Sequence, residues 1–354
     1  MSDLQAYRVG IMGCGLISRG HVHGYEKVGL QTVAGADTSA GQRSGFRTEF
    51  PRATMYADYC EMLEKERLDL VSVCTWPPLH EEMVVAAAEA GVKGIVCEKP
   101  MAVNLGQADH MLEACQRSGT KLVVGHQRRF NRRYVEAKEA LQRGDIGKLV
   151  EVFGNCGGDL LTDGTHNVDL VRYFVDDEPA RWVLGQIDRQ PWGRFGYERS
   201  RRYGHVIENS ALARIEFRNG VRAFLQVGDI ATEEYQYIAL QGTEGRIEVS
   251  GDRWGQSGPS WWRILRGGQE GWVEHRVEQD VDAFAEEIKE LIRWIEQGGG
   301  HLLSGESARA DLEILMAVFE SSRRRGRVEL PLDVTEHPLE AMAEAGEMQV
   351  IVTD

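Results

Sequence analysis

Two glycines one residue apart, Gly13 and Gly15, followed at a distance by Asp37, are residue types that can cradle a dinucleotide. Backbone amides must approach a pyrophosphate closely, and a Cβ at the turn would stand in the way. A helix that starts on the turn adds bare N–H donors and the positive end of its dipole. A carboxylate about 20 residues further on reaches a ribose diol. Ser18 stands where this fingerprint ordinarily has a third glycine, and it is small enough for close helix–strand packing. Gly13, Cys14, Gly15, Leu16, Ile17 and Asp37 are therefore the expected nucleotide contacts. Further on, Lys99 offers an ammonium that can hydrogen-bond a reacting oxygen and lower the pKa of an alcohol. His166 offers an imidazole that takes and returns a proton near neutral pH. By position alone Lys99 reads as a surface lysine before a proline turn, and the bland alternative for His166 is a helix-capping or core histidine.

The elements that position these groups follow from the apolar pattern. Residues 7–37 form one β-α-β unit: a strand at 8–12, the glycine turn, a helix to about residue 28, and a strand at 32–36 closed by Asp37. Helices are expected at 40–50, 57–66, 81–90 and 104–118, with strands at 68–74, 92–97 and 121–125. Gly91 and Gly119 stop two of those helices. Strands alternating with helices imply right-handed crossovers and a parallel sheet covered on both faces. Lys99 then follows a strand at the C-terminal edge of that sheet, where ligands bind.

After residue 125 the pattern changes. A helix at 132–142, a strand at 147–155 and a short helix at 166–174 precede a run of alternating strands. Residues 211–217 and 221–227 make a hairpin around Asn219-Gly220, and 235–241 and 246–250 flank a second turn at 242–245. Helices at 281–297 and 307–324 follow. The fold class expected is α/β, with an N-terminal doubly wound parallel sheet (residues 1–125) and a C-terminal α+β domain (126–354).

Composition narrows the function. The chain has 354 residues, a net charge of −14 and 42% apolar residues, which fills real cores and argues against nucleic-acid or anionic-membrane binding. Six cysteines (Cys14, Cys60, Cys74, Cys97, Cys115 and Cys156) show no short paired spacing, so neither a metal knuckle nor a disulfide framework is expected. Reduced thiols, the lack of a signal-peptide pattern and the lack of a long apolar run point to a cytoplasmic address.

Taken together, Gly13-Cys14-Gly15, the Pro77-Pro78-Leu79-His80 loop, Glu98-Lys99-Pro100, Gly157-Gly158, Asp163-Gly164-Thr165-His166, Asp169-Leu170, Phe217-Arg218-Asn219-Gly220 and Gly242-Thr243-Glu244-Gly245 resemble the glucose–fructose oxidoreductase / inositol dehydrogenase / MocA (Gfo/Idh/MocA) family. The resemblance implies a Rossmann domain followed by an open-faced, mostly antiparallel sheet domain. It also implies bound NAD or NADP, and hydride transfer at a carbinol carbon of a sugar, inositol or derivative. Within it Lys99 is an active-site residue, with His166 as general base and Asp163 as its orienter. The family ordinarily has an aspartate four residues before this histidine. Thr162 occupies that place here and can instead bind a substrate hydroxyl.

Thr75, Trp76, Pro77 and His80 are placed against the nucleotide, although Trp76 reads equally as packing. Glu98 is assigned to the nicotinamide ribose, and Gln127 and Arg129 to the carboxamide or substrate. Asp37 favours NAD over NADP because a carboxylate repels a 2′-phosphate, while Arg43 softens that preference. The loop 190–205, with Trp192, Arg194, Phe195, Tyr197, Arg199, Arg201 and Arg202, suits a sugar carrying carboxylate or phosphate; it reads equally as a solvated loop or subunit contact. Sheet-face pairing implies a homodimer or homotetramer. Two competing functions are a glycoside-cleaving enzyme that recycles its own NAD, and a non-catalytic NAD/sugar sensor.

Overall fold

A computed structural model describes residues 7–188, 201–228, 236–252, 260–277 and 281–347. In chain order the elements of the first part are β1 (Arg8–Met12), α1 (Leu16–Lys27), β2 (Gln31–Ala36), α2 (Ala40–Glu49), β3 (Thr54–Tyr56), α3 (Tyr59–Glu66), β4 (Leu70–Val73), α4 (His80–Glu89), β5 (Gly94–Cys97), α5 (Leu105–Ser118) and β6 (Lys121–Val124). Then come α6 (Arg132–Gln142), β7 (Leu149–Cys156), α7 (Gly164–Phe174), β8 (Ala180–Asp188), β9 (Arg201–Arg202), β10 (His205–Val206), β11 (Ser210–Phe217), β12 (Arg222–Gly228), β13 (Gln236–Gly242), β14 (Gly245–Asp252), β15 (Ser260–Arg266) and β16 (Val273–Val277). The chain continues with α8 (Ala283–Gln297), α9 (Gly305–Arg324), β17 (Val328–Glu329) and α10 (Pro338–Glu344). It divides into two compact units: residues 1–127 with 282–309, and residues 128–281 with 310–354.

In the first unit six parallel strands run in the order β3-β2-β1-β4-β5-β6. This is the doubly wound order whose reversal, between β1 and β4, leaves a crevice at the strand C-termini. β1, β4 and β5 are apolar apart from Arg8 and Ser72 because helices cover the sheet on both faces, and Val9, Ile11, Val71, Val73, Ile95 and Val96 are buried. The sequence pattern assigned residues 282–309 to the second domain, but they fold into the first. The reason is small residues on α1. A Cβ on Gly20 or Gly24 would lie 2.8 Å from Phe284 of α8, so the bare backbone of α1 receives that ring. Gly94 of β5 likewise leaves room for Leu291 and Ile295.

In the second unit nine strands run in the order β16-β15-β14-β13-β7-β12-β11-β8-β17. Only β7 and β12 pair in parallel; the other neighbours are antiparallel. The Asn219-Gly220 turn closes the β11–β12 hairpin, with Gly220 at φ +86°. α7 packs over β7, β12 and β13, and α6 over β14 to β16. The opposite face of the sheet carries Leu184, Leu212 and the stacked rings of Phe153 and Phe224, whose centroids are 5.2 Å apart. Leu184 and Leu212 are exposed there.

Candidate active site

The glycine turn of the first unit has the properties a dinucleotide requires. Gly13 adopts φ +89°, and a Cβ there would meet the Cys74 carbonyl at 2.8 Å, so both conformation and space demand glycine. Gly15, the N-cap of α1, differs: a Cβ on it would have nothing within 4 Å, so the position opens onto space that a ligand can approach. Among the described residues no side chain caps this helix and no acid sits in its first turn, which leaves its N–H donors and positive dipole end available to an anion. Leu16 is 89% exposed and Trp76 60% exposed, with Ile17 and Leu79 also presenting apolar surface. Ser18 is buried and donates its hydroxyl to the Gly15 carbonyl at 2.6 Å.

Asp37 closes β2 and accepts the amide N–H of Cys14 at 2.9 Å and that of Ser39 at 2.8 Å. Arg43 donates to the carbonyls of Asp37 and Thr38, so a guanidinium stands beside the acid. The Cys14 thiol is pushed up to about 12 by burial and by the charge of Asp37, which makes it a packing group. These residues fit a nucleotide with its diphosphate over Gly15 and a ribose toward Asp37.

His80 holds together the two loops at the C-terminal edge of β4 and β5. Its Nδ1 lies 3.0 Å from the Pro100 carbonyl and its Nε2 3.1 Å from the Thr75 carbonyl, and the ring is fully buried. Burial pushes its pKa down, against the pull of those carbonyls and of Glu98. The expectation placed His80 against the nucleotide; a buried ring facing backbone carbonyls supports the loops instead. The Lys99–Pro100 bond is cis. Glu98 is buried and accepts the Lys99 amide N–H at 3.3 Å, while Lys99 itself is half-buried. Gln127 ends the first segment of the unit, half-buried, on a short 3-10 turn.

In the second unit His166 lies in the first turn of α7 and is nearly buried. The loop before it is tied together by Asp159. That carboxylate accepts the Thr162 amide N–H at 2.7 Å and the Arg202 guanidinium at 2.8 Å. Arg202 also donates to Asp163, and the Thr162 hydroxyl is 3.2 Å from His205 Nε2. Glu208 accepts the Leu160 amide N–H at 2.5 Å from a fully buried position. Burial and the negative charge of Asp159 push its carboxyl up to about 8. Asp163 and Thr162 thus sit at the start of α7 beside His166, paired with Arg202 and His205 respectively.

Arg129, a residue the sequence places at the carboxamide or substrate, is instead 0% exposed. Its guanidinium donates to Asp169 at 2.7 Å and to both oxygens of Asp177 at 2.8 and 2.9 Å. Five donors in a planar fork suit this internal role. Asp169 therefore faces Arg129. Burial pushes its carboxyl up while the Arg129 charge pulls it down.

The loop residues Trp192, Arg194, Phe195, Tyr197 and Arg199, and Tyr235, lie outside the described residues. Sequence reasoning missed His205, Glu208 and His21. The signal it passed over was a titratable side chain embedded in an apolar stretch, as in Val206-Ile207-Glu208. Among the described residues no helix is long and apolar enough to cross a membrane.

Residues 7–126 match the family described as oxidoreductase family, NAD-binding Rossmann fold, and residues 148–330 match its C-terminal alpha/beta domain. The chain is 25% identical over 349 residues to the myo-inositol 2-dehydrogenase of Thermotoga maritima, covering 91% of this chain and 98% of that one. It is 33% identical over 188 residues to the inositol 2-dehydrogenase of Pseudomonas syringae pv. syringae, covering 49% of this chain and 56% of the relative. Its fold resembles the crystal structure of the WlbA dehydrogenase from Bordetella pertussis in complex with NADH and UDP-GlcNAcA, with a TM-score of 0.75, 22% identity, and 92% and 99% of the two chains covered. With both domains matched in order, the chain belongs to the Gfo/Idh/MocA family of NAD-binding oxidoreductases.

Proposed function

We propose that this protein is an NAD-dependent dehydrogenase that oxidises a carbinol carbon of a sugar, inositol or sugar derivative. The observation that carries the reading is the open, uncapped start of α1 at Gly15, aligned with Asp37 at the end of β2. NAD, when bound, supplies the hydride acceptor. The chain's own residues supply the rest. Gly15, Leu16 and Ile17 receive the diphosphate on backbone amides, Gly13 and Cys14, whose own amides bond Ala36 and Asp37, shape the turn beneath it, and Asp37 receives the ribose diol. Lys99 hydrogen-bonds the hydroxyl that becomes the carbonyl and stabilises negative charge developing on that oxygen. His166 accepts the hydroxyl proton.

Thr75, Trp76, Pro77, Glu98 and Gln127 border the nucleotide, and Thr162 and Asp163 shape the substrate side around His166. Asp37 selects NAD. Arg43, held on backbone carbonyls beside it, is the group that admits some NADP. The exposed sheet face around Leu184, Leu212, Phe153 and Phe224 pairs with a second copy of the chain.

A screen of NAD⁺ reduction over polyols, aldoses and uronic acids tests this. Stoichiometric NADH formed with one of these classes is the expected result. Cleavage of a glycoside with no net NADH would replace the dehydrogenase reading, and binding of NADH with no turnover on any of them would remove it.

A further inference from the structure

Beneath Lys99 a continuous chain of hydrogen bonds runs through the interior of the first unit. The Tyr25 hydroxyl lies 3.0 Å from Ser72 Oγ, Ser72 Oγ lies 3.1 Å from His21 Nδ1, and His21 Nε2 lies 2.9 Å from Glu98 Oε1. The other carboxylate oxygen of Glu98 accepts the Lys99 amide N–H. Tyr25, Ser72 and His21 are fully buried and Glu98 nearly so. One allotment of protons satisfies every member. Tyr25 donates to Ser72, Ser72 donates to His21 Nδ1, and the Nε2–H of a neutral imidazole donates to an ionised Glu98. Carboxylate, imidazole and serine hydroxyl here reproduce the order of a hydrolytic triad, but Ser72 is sealed in the middle of β4 behind Tyr25 and meets no substrate. The chain must therefore act on what its open end touches, which is Glu98 and the peptide that carries Lys99.

A second buried acid shows why Glu98 needs that support. Glu287 of α8 is fully buried, and neither carboxylate oxygen has a hydrogen-bond partner among the described residues. Burial and the negative charges of Glu98 and Glu290 push its carboxyl well up, which favours its neutral form. Two acids in one apolar neighbourhood cannot both ionise cheaply, and the environment decides which one does. Only Glu98 has an imidazole N–H directed at it. The groups facing Glu98 are His21 from α1, His80 from the α4 side, Lys99 on its own loop, Glu287 from α8, and the thiols of Cys74 and Cys97. Burial pushes both thiols well up, so they carry no charge. The His21 ring is itself fixed against Phe284 of α8, with ring centroids 5.1 Å apart.

We propose that His21 is a positioning residue for Lys99, acting through Glu98: it holds the Glu98 carboxylate in place and ionised, and that charge keeps the adjacent Lys99 ammonium protonated over the pH range of turnover. This rests on the reading of Lys99 as the group that meets the reacting oxygen, but its test requires neither substrate nor turnover.

The pH dependence of Lys99 acetylation is measured on the full-length chain by mass spectrometry of the peptide that contains it. The proteins compared are wild type, His21→Leu, Glu98→Gln, the double variant and His21→Gln. Thermal melts establish that each is folded. Losing one adjacent charge is expected to lower the labelling midpoint by about one pH unit, tenfold in protonation ratio, in both His21→Leu and Glu98→Gln. The double variant should shift no further, because both substitutions remove the same charge. His21→Gln, which keeps an N–H for Glu98, should return the midpoint most of the way to wild type. An unchanged midpoint in Glu98→Gln overturns the proposal, as does an unchanged midpoint in folded His21→Leu or an additive shift in the double variant. If His21→Leu does not fold, Glu98→Gln and His21→Gln still decide the question. The expected shifts in a chain that oxidises no polyol would uphold this inference and overturn the dehydrogenase reading.

Discussion

Asp37 and Cys14 are joined across the β-α-β unit: the carboxylate at the end of β2 accepts the amide N–H in the middle of the glycine turn at 2.9 Å. The acid expected to select the ribose therefore also braces the turn expected to hold the diphosphate. One substitution should disturb both. Asp37→Ala leaves the Cys14 and Ser39 amides without their carboxylate acceptor and removes the charge that repels a 2′-phosphate. NADH affinity should fall by about tenfold or more, ~1.4 kcal/mol, while NADPH affinity falls less or rises. Fluorescence titration of both reduced nucleotides checks this. An unchanged NADH-to-NADPH ratio would remove Asp37 from cofactor selection.

Arg129 should prove essential to folding rather than to binding. Arg129→Met removes the guanidinium that serves the Asp169 and Asp177 carboxylates and leaves Asp177 its longer ion pair with Arg172. Breaking a buried ion network from one side costs about 3–5 kcal/mol. Denaturant melts should show that loss, and the residual folded fraction should bind NADH normally.

Glu208 should make stability depend on pH. Its carboxyl is raised to about 8 by burial and by Asp159. From the ordinary glutamate range of about 4.3 up to that value, the folded chain keeps a proton that the unfolded chain has released. The contribution of this group to stability is complete below the ordinary range and is lost as pH rises through about 8. Glu208→Gln keeps an acceptor for the Leu160 amide N–H and removes the titration. The decline in stability between about pH 5 and pH 9 should then be smaller than in wild type by about 1–3 kcal/mol. Equal slopes in thermal melts across that range would contradict the assignment.

Gly158 keeps space for Asp163. It has φ +87°, and a Cβ on it would meet the Asp163 carboxylate at 1.9 Å. Gly158→Ala should push Asp163 off Arg202 and displace the start of α7 with His166. Turnover should fall by about 10- to 100-fold, with NADH affinity unchanged. A loss of NADH affinity equal to the loss of turnover would show a general defect instead.

Much of this architecture was legible in the residues, for identifiable reasons. The parallel sheet is marked by short strands that are buried at every position and almost wholly apolar, such as Leu70–Val73 and Gly94–Cys97, and by caps such as Asn104 and Gly119 around α5. β3, with three residues, is too short for any periodicity to reveal. The return of residues 282–309 to the first unit depends on Phe284 finding the bare backbone at Gly20 and Gly24, a long-range fit that no local pattern encodes.

Side-chain partners were less legible. The motif around His166 marks the start of α7, but the pairing of Asp163 with Arg202 joins residues 39 apart in the chain. Arg129 stands beside a motif, and only the fold shows it turned inward onto Asp169. His21 lies inside the nucleotide fingerprint itself, and its partners arrive from later in the chain, Ser72 from β4 and Glu98 from the loop after β5.

In the proposed reaction NAD⁺ at the Gly13–Gly15 turn takes the hydride of a carbinol carbon, Lys99 holds the reacting oxygen and His166 takes its proton. The most direct test is the single-turnover rate of NAD⁺ reduction in wild type, Lys99→Ala and His166→Ala, using a polyol that wild type oxidises, with NADH affinity measured on the same samples. Each variant should lose about 10²–10⁴-fold in rate and keep its NADH affinity. A wild-type rate in either variant would contradict the account.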